Sequence, residues 1–126
     1  MGKCANCLQV ITSIRIKPEK YENEYGLELT FYDNAEEVGK ACTADFCGKQ
    51  NSFLHGLEVS RRYRNKGYGS AILSYMVEIF DVDTLYVARE NQQAIHLYKK
   101  FGFEITGNFD ERNVVMKRQR MVTDNA

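Results

Sequence analysis

One stretch of the sequence, Leu54–Phe80, limits the possible folds more than any other. Its first part has the apolar pattern of a strand that ends near Val59. A basic turn follows, with glycines at Gly67 and Gly69. Beyond the turn, apolar residues recur at helical spacing, namely Ile72, Leu73, Met76, Val77, Ile79 and Phe80. The stretch therefore predicts a strand, a tight turn and a helix in direct succession, with the helix under way from Ser70.

A strand that leads through glycines into a helix N-terminus is suited to holding an anion. The first backbone N–H groups of a helix have no partner within it, and the helix dipole adds partial positive charge there. Glycine lets the backbone approach a ligand closely and adopt positive φ at little cost. Four cations surround the turn: Arg61, Arg62, Arg64 and Lys66. The turn thus predicts a phosphate or diphosphate site, and a plain glycine turn with solvated arginines is the structural alternative.

Two widespread phosphate motifs do not fit this turn. It lacks the Gly-Lys-Ser/Thr end of a P-loop, and Ile72 stands where a dinucleotide fingerprint needs its third glycine. The pattern Arg-x-x-Gly-x-Gly after a strand instead resembles the acyl-CoA cradle of the GNAT superfamily of N-acetyltransferases. The resemblance implies that acetyl-CoA is the cosubstrate and that this turn binds it. The implied cofactor-binding residues of the turn are Arg64, Asn65, Lys66, Gly67, Tyr68, Gly69 and Ser70.

A second segment, Thr84–Phe103, carries the same resemblance. It is typical of a short strand, a loop and a helix, with Asn91 as N-cap and Gly102 just past the helix C-terminus. GNAT enzymes have Asn-x-x-Ala-x-x-Leu-Tyr-x-x-x-Gly-Phe in this place. The chain matches each named position with Asn91, Ala94, Leu97, Tyr98, Gly102 and Phe103. The resemblance covers residues 54–117 and looks most like the branch that acetylates protein amino groups.

The resemblance also implies roles for individual residues. Tyr98 would protonate the departing CoA thiolate, which a phenol of pKa about 10 can do within hydrogen-bond reach; the alternative is a core-facing aromatic of an amphipathic helix. Asn91 would contact the cofactor; the alternative is that it serves only as an N-cap. In this family the strand before the turn separates from its neighbour. Backbone groups of Leu57, Glu58 and Val59 would therefore bind the pantetheine amides and the thioester oxygen.

Removal of the amine proton is the remaining chemical need, because a lysine amine with a pKa of about 10.4 is mostly charged at pH 7. His55 lies two residues before Leu57, with the strand parity of Leu57 and Val59, and a histidine titrates in the useful range. Glu58, on the opposite face of the strand, is a second candidate that would act through water. A structural histidine and proton loss to solvent are the alternatives. His96, on the later helix, is expected at the surface.

The order of the elements predicts an α+β fold, a three-layer α/β arrangement of the GNAT type. Helices would pack on a mixed, mostly antiparallel twisted sheet of about six to seven strands. Strands are expected at Leu8–Lys17, Leu27–Asp33, Val38–Phe46, Phe53–Val59, Leu85–Val87, Phe103–Gly107 and Val114–Lys117. Pro18 should end the first strand, a charged connection should occupy residues 19–26, and residues 48–52 should form a turn.

GNAT domains usually carry two helices between their first and second strands, and these helices cover the acceptor site. Only about nine residues separate those strands here, so the acceptor side is expected to be open. An open site favours a macromolecular acceptor, such as a lysine or N-terminal amine of a protein or peptide. Two alternatives stand beside it: a small-molecule amine acetyltransferase whose roof comes from a homodimer partner, and a domain that binds acyl-CoA or a partner without turnover.

Composition sets the remaining bounds. With 17 Lys and Arg against 17 Asp and Glu, the net charge is zero, which argues against a dedicated nucleic-acid-binding protein. No apolar run is long enough to span a membrane, and the first residues lack a signal-peptide pattern, so the cytoplasm is the expected location. The length suits a single domain over residues 1–126, with flexible tails at 1–7 and 119–126.

Four cysteines are candidate metal ligands: Cys4, Cys7, Cys42 and Cys47. Their number suits a zinc site, but the second pair has an unusual spacing and no pair of histidines supports it. Disulfides are rare in the cytoplasm. Free thiols and no metal are therefore expected.

Overall fold

The computed structural model describes residues 14–24 and 26–119 and shows, within them, one seven-stranded sheet and two α-helices. The strands are β1 (Lys17–Asn23), β2 (Gly26–Asp33), β3 (Glu36–Phe46), β4 (Lys49–Val59), β5 (Thr84–Ala88), β6 (Glu104–Asn108) and β7 (Asn113–Lys117). The helices are α1 (Tyr68–Phe80) and α2 (Gln92–Lys100), and a short 3-10 helix spans Arg61–Tyr63. The strand order is β1-β2-β3-β4-β5-β7-β6, with only β4 and β5 parallel. The predicted α+β class and the mixed, mostly antiparallel sheet are confirmed.

The first strand differs from the prediction. Residues 17–23 form β1, although a charged connection was expected at 19–26. Pro18, which was expected to end the first strand, lies inside β1, opposite Phe31. Proline is tolerated there because β1 is at the edge of the sheet, where an N–H can face away from the ladder. Only residues 24 and 25 separate β1 from β2, and the described residues before β2 contain no helix. Most of the strand expected at 8–17 lies outside the described residues.

The turn before β4 is shorter than predicted. Residues 48–52 were expected to form a turn, but β3 and β4 are joined by Cys47 and Gly48 alone, so that β4 begins at Lys49. Both joining residues have positive φ, of 54° and 77°, which suits the two-residue turns that match the twist of a hairpin. Four residues of β4 were therefore missed.

Both helices pack on the same face of the sheet and share one hydrophobic core. From the sheet, the core takes Leu29, Phe31, Ala41, Leu54, Leu85 and Met116. From α1 it takes Ile72, Leu73 and Met76, and from α2 Ile95 and Tyr98. The described residues thus form two layers, with helices on one face. Neither helix among them is long and apolar enough to cross a membrane.

One glycine sets how closely α1 approaches the sheet. A Cβ atom at Gly39 of β3 would lie 2.6 Å from the Ile72 Cδ1 atom of α1 and 2.6 Å from the Glu58 carbonyl oxygen. These distances are shorter than van der Waals contact, so only glycine allows this packing. The close approach fixes the N-terminal half of α1 beside the end of β4.

Candidate active site

A cleft of about 670 Å³ lies between the end of β4, the turn that follows it and α2. From β4 it is lined by Leu57, Glu58 and Val59. From the turn and the start of α1 it is lined by Arg64, Asn65, Gly67, Gly69 and Ser70. From α2 and its N-cap it is lined by Asn91, Gln93, Ala94, His96, Leu97 and Lys100. The structure thus brings the two motif segments of the sequence together in one site.

The separation of β4 from β5 opens the cleft. The parallel ladder between these strands contains only two residue pairs, Phe53↔Thr84 and Leu54↔Leu85. Past the second pair the strands diverge, so among the described residues the edge of β4 that faces β5 has no ladder partner from there to Val59. Backbone N–H and C=O groups on such an edge are free to bind an extended ligand.

The turn after β4 supplies unpaired donors. Asn65 and Gly67 have positive φ, of 62° and 94°, and residues 65–70 donate no backbone–backbone hydrogen bond to any residue that the structure describes. The first such bond is donated by the Ala71 N–H to the Gly67 carbonyl, at 3.1 Å. Gly67 is the N-cap of α1 and provides no side-chain cap. Successive free N–H groups at a helix N-terminus form a site for an anion.

Arg64 fixes the turn to the strand. Its Nε atom donates to the Val59 carbonyl at 2.9 Å. The Val59 carbonyl is therefore already engaged, whereas the terminal nitrogens of Arg64 donate no hydrogen bond to any described residue. The guanidinium group is exposed and can meet an anion at the turn while it braces the end of β4.

Two predicted turn residues do not line the cleft. The Lys66 ammonium lies 6.0 Å from the centre of the Tyr63 ring, in a cation–π contact. Tyr68 donates its hydroxyl to Asp33 Oδ2 at 2.5 Å, which ties the first turn of α1 to the end of β2. This hydrogen bond raises the pKa of Tyr68. Both residues contact neighbouring parts of the protein and support the turn from outside.

The N-terminus of α2 agrees with the sequence prediction. Asn91 is the N-cap, and its Oδ1 atom accepts from the Ala94 N–H at 3.1 Å. The same residue lines the cleft, so a capping role and a position in the cleft wall occur together. Gly102 follows the helix with a φ of 94°, and the Phe103 N–H returns to the Tyr98 carbonyl at 3.2 Å.

The exposed face of α2 was overlooked in the sequence. Gln93 donates from Nε2 to Asn65 Oδ1 at 3.3 Å and so joins α2 to the turn. His96 is exposed as expected, but it also lines the cleft, together with Lys100 one helical turn later. A spacing of three and four residues places these three side chains on one side of the helix. This helical spacing is the sequence signal that could have predicted their shared position in the site.

Tyr98 is buried rather than in the wall of the cleft. Its side chain is 8% exposed and makes an edge contact with the Phe103 ring, at 5.9 Å between ring centres. Its hydroxyl has no hydrogen-bond partner among the described residues, and burial raises the pKa of the phenol. The side chain therefore packs in the core beside the cleft, and its catalytic role stays a prediction.

The prediction that His55 lies on the same side of β4 as Leu57 and Val59 is wrong. The ladder between β3 and β4 pairs Cys42 with Gly56 and then Thr43 with Leu54, so His55 is an extra residue at a bulge. Because of the bulge, Leu57 lies on the helix-facing side of β4. The His55 ring packs against the Phe53 ring on the opposite face, with 6.3 Å between the ring centres. His55 does not line the cleft. Its role as a base remains a prediction and now depends on the opposite face of the sheet.

The described cysteines form no metal site. Cys42, half-buried on β3, and Cys47, exposed in the next turn, are free thiols, and residues 14–24 and 26–119 hold no cluster of three metal-ligating side chains. Burial raises the pKa of the Cys42 thiol. Cys4 and Cys7 lie outside the described residues.

Comparisons with known proteins show which family the sequence matches. Residues 13–103 match the Acetyltransferase (GNAT) family. The L-amino acid N-acetyltransferase AaaT of Escherichia coli K12 is 43% identical over 58 residues, which are 41% of this chain and 36% of that protein. The matched part therefore spans only about a third of this curated relative.

Two solved structures share the fold. The ribosomal-protein-S18-alanine N-acetyltransferase of Escherichia coli superimposes with a TM-score of 0.63 at 22% identity, covering 83% of this chain and 76% of its own. The PaiA N-acetyltransferase of Thermoplasma acidophilum, solved with coenzyme A, gives 0.63 at 18%, covering 91% and 67%. At these identities the likeness is one of fold.

Proposed function

The chain belongs to the Acetyltransferase (GNAT) family, and we propose that it transfers an acetyl group from acetyl-CoA to a primary amine of a protein or peptide. The observation that carries the proposal is a cleft that joins the unpaired edge of β4 to the free N–H groups of residues 65–70. An anion-binding turn and an open strand edge are the two features that an acyl-CoA needs, because it combines a diphosphate with a chain of amides.

The residues present fit such a cosubstrate. The free N–H groups at the start of α1 would bind the diphosphate, with Arg64 as the nearby cation. The β4 edge from Leu57 to Val59 would bind the pantetheine amides as an added strand does. Asn91, at the N-terminus of α2, would contact the same chain from the other side of the cleft. A coenzyme A complex of a protein with this fold supports the assignment.

The proposed chemistry is direct attack of a neutral amine on the thioester in a ternary complex. A new N–C bond forms as the C–S bond breaks, and the amine proton must leave. Tyr98 would donate a hydrogen bond to the departing thiolate, and its raised pKa keeps the phenol protonated. His55 and Glu58 are the candidate bases. In the register of the β3–β4 ladder, Glu58 lies opposite Lys40.

The proposal also specifies the kind of acceptor, a protein or peptide rather than a small molecule. The described residues before β2 contain no helix to cover the face of β4 that carries His55, and an uncovered face suits a peptide. The relatives named above include an L-amino acid N-acetyltransferase and a ribosomal-protein-S18-alanine N-acetyltransferase. A small-molecule acetyltransferase completed by a second copy, or a domain that binds acyl-CoA without turnover, would be the outcome if peptides are not acetylated.

Release of the CoA thiol, measured with acetyl-CoA and a panel of amines, tests the proposal. The panel should contain peptides with a free N-terminus, peptides with an internal lysine and free amino acids. Peptide-dependent thiol release that falls by about 10²-fold or more in Tyr98→Phe, with acetyl-CoA binding retained, supports it. Binding of acetyl-CoA without thiol release for any amine would make the chain a binding module.

A further inference from the structure

A group of aromatic side chains lies on the sheet face away from the helices. The Phe53 and Tyr86 rings meet edge to face, with 4.9 Å between the ring centres, and the Phe109 ring stacks on Tyr86 with 4.0 Å between the centres. Their neighbours Leu54 and Leu85 are buried under the helices, and because side chains alternate along a strand, Phe53 and Tyr86 face the other way. We call Phe53, Tyr86 and Phe109 the aromatic wall.

The aromatic wall stands where β4 and β5 part. Leu54↔Leu85 is the last pair of the ladder, so His55 and Tyr86 are the first residues past it. Beside them, a Cβ atom built on Gly56 would meet no heavy atom within 4 Å, so the face is open there. On the sheet face opposite the cleft, the gap between β4 and β5 is therefore open at Gly56. The aromatic wall borders this gap on one side.

The wall is held in place by its own loop. Phe109 is 53% exposed, yet its N–H donates to the Asn113 carbonyl at 2.9 Å. Asp110 accepts from the N–H groups of Arg112 and Asn113, each at 2.8 Å. The Arg89 side chain reaches from the end of β5 to the Glu111 carbonyl and to Asn108 Oδ1, the latter at 2.6 Å. An exposed aromatic on such a fixed turn is preorganised for contact, so binding it costs little ordering.

Taking the acetyltransferase activity proposed above as the basis, we propose that the aromatic wall binds an aromatic side chain on the amine-bearing residue of a peptide acceptor. The wall lies beside the split, on the face that an amine must use when acyl-CoA occupies the helix side. A ring placed on Phe109 and Tyr86 directs the neighbouring amine towards the split. The open floor at Gly56 leaves the rest of the peptide free to extend, which a closed small-molecule pocket would not.

Initial rates with matched peptides test this inference. The probes are peptides that differ only in their first residue, Phe, Ala or Glu, with acetyl-CoA at saturation. An aromatic contact should favour the Phe peptide over the Ala peptide in kcat/KM by about three- to tenfold. In Phe109→Ala this preference should be lost, while the KM for acetyl-CoA stays unchanged.

The control is Tyr21→Ala, which removes another exposed aromatic, 63% exposed, from the distant strand β1. It should leave the preference intact. Tyr86→Leu, which keeps an apolar side chain but removes the stacked ring, is the second variant and should weaken the preference.

Several outcomes would overturn the inference. They are no preference for the Phe peptide, an equal loss for the Phe and Ala peptides in Phe109→Ala, or phenethylamine used as well as the peptide. A change of oligomeric state in Phe109→Ala would instead identify the wall as a contact between copies. Acetyl-CoA-dependent thiol release with any amine would still stand in each case, so this inference can fail while the proposed function holds.

Discussion

At the scale of single residues, one inserted residue in a strand reverses the face of the sheet on which the residues before it are expected to lie. Alternation along β4 predicted that His55 faces the same side as Leu57 and Val59. The bulge at His55 breaks that alternation, so that the histidine leaves the helix side and contacts Phe53. A bulge depends on how two strands pair, and the sequence of one strand does not reveal it. Gly56, the following residue, is the only local hint of irregular pairing.

Tyr98 allows a prediction on pH and stability. Burial raises its pKa in the folded protein, so the folded state holds the phenolic proton more tightly than the unfolded state does. The stability from this proton is fully present below the unfolded pKa of about 10 and is lost as the pH rises through the folded value. The free energy of unfolding in urea, measured from pH 8 to 11, should therefore fall less steeply above pH 10 in Tyr98→Phe.

Tyr68 has a raised pKa as well, through Asp33, so the fall should be reduced in Tyr98→Phe but not abolished. Tyr21→Phe changes an exposed tyrosine and serves as the control. An identical pH dependence in Tyr98→Phe and the parent protein would contradict the burial of this hydroxyl.

At the scale of secondary-structure elements, the boundaries set by local chemistry were predictable. The helix α2 has its N-cap at Asn91 and its terminating glycine at Gly102, as the sequence predicts. The limits of β1 and β4 were not predictable in the same way. A charged strand such as β1 has no apolar face to reveal it, and a two-residue turn through Cys47 requires a non-glycine residue at positive φ, which carries little sequence signal.

Asn91 allows a test of the two roles that meet at the start of α2. Asn91→Ala removes the acceptor for the Ala94 N–H and should cost about 1 kcal/mol in the free energy of unfolding. Asn91→Asp retains a capping oxygen and should keep the stability. If the side-chain amide also donates to acyl-CoA, Asn91→Asp should still weaken acetyl-CoA binding, as measured by calorimetry.

Gln92→Ala, one residue further along and outside the cleft, is the matched control for both measurements. Normal acetyl-CoA affinity in Asn91→Asp would leave Asn91 as an N-cap only. Normal stability in Asn91→Ala would contradict the cap itself.

At the scale of the whole molecule, the site arises from contacts that no single segment encodes. The motif segments around Gly67 and Asn91 could be recognised separately, and their joint role followed from the family resemblance. That β4 and β5 share only two pairs depends on packing across the core. For the same reason His96 was expected only at the surface, and Lys100 was not considered. The docking of α2 against the turn, through Gln93, brings both side chains to the cleft.

Ligand-dependent unfolding tests whether the assembled cleft works as a unit. Binding to the folded state at one hundred times the dissociation constant adds about 2.7 kcal/mol, which is on the order of 10 °C in Tm for a domain of this size. Acetyl-CoA should produce such a shift in the parent protein. Gly67→Val places a branched side chain at a φ of 94° and at the head of α1, so it should abolish the shift.

The strain of a branched residue at positive φ lowers Tm by itself, and Gly48→Val separates that effect from the loss of binding. Gly48 also has a positive φ, of 77°, but it lies in the β3–β4 turn, where an added Cβ meets nothing within 4 Å. Both variants should therefore have a lower Tm without ligand. Only Gly48→Val should keep the full acetyl-CoA shift, because residues 65–70 and their free N–H groups are untouched there. A full shift in Gly67→Val would remove the turn from the cofactor site, whatever the activity of the protein.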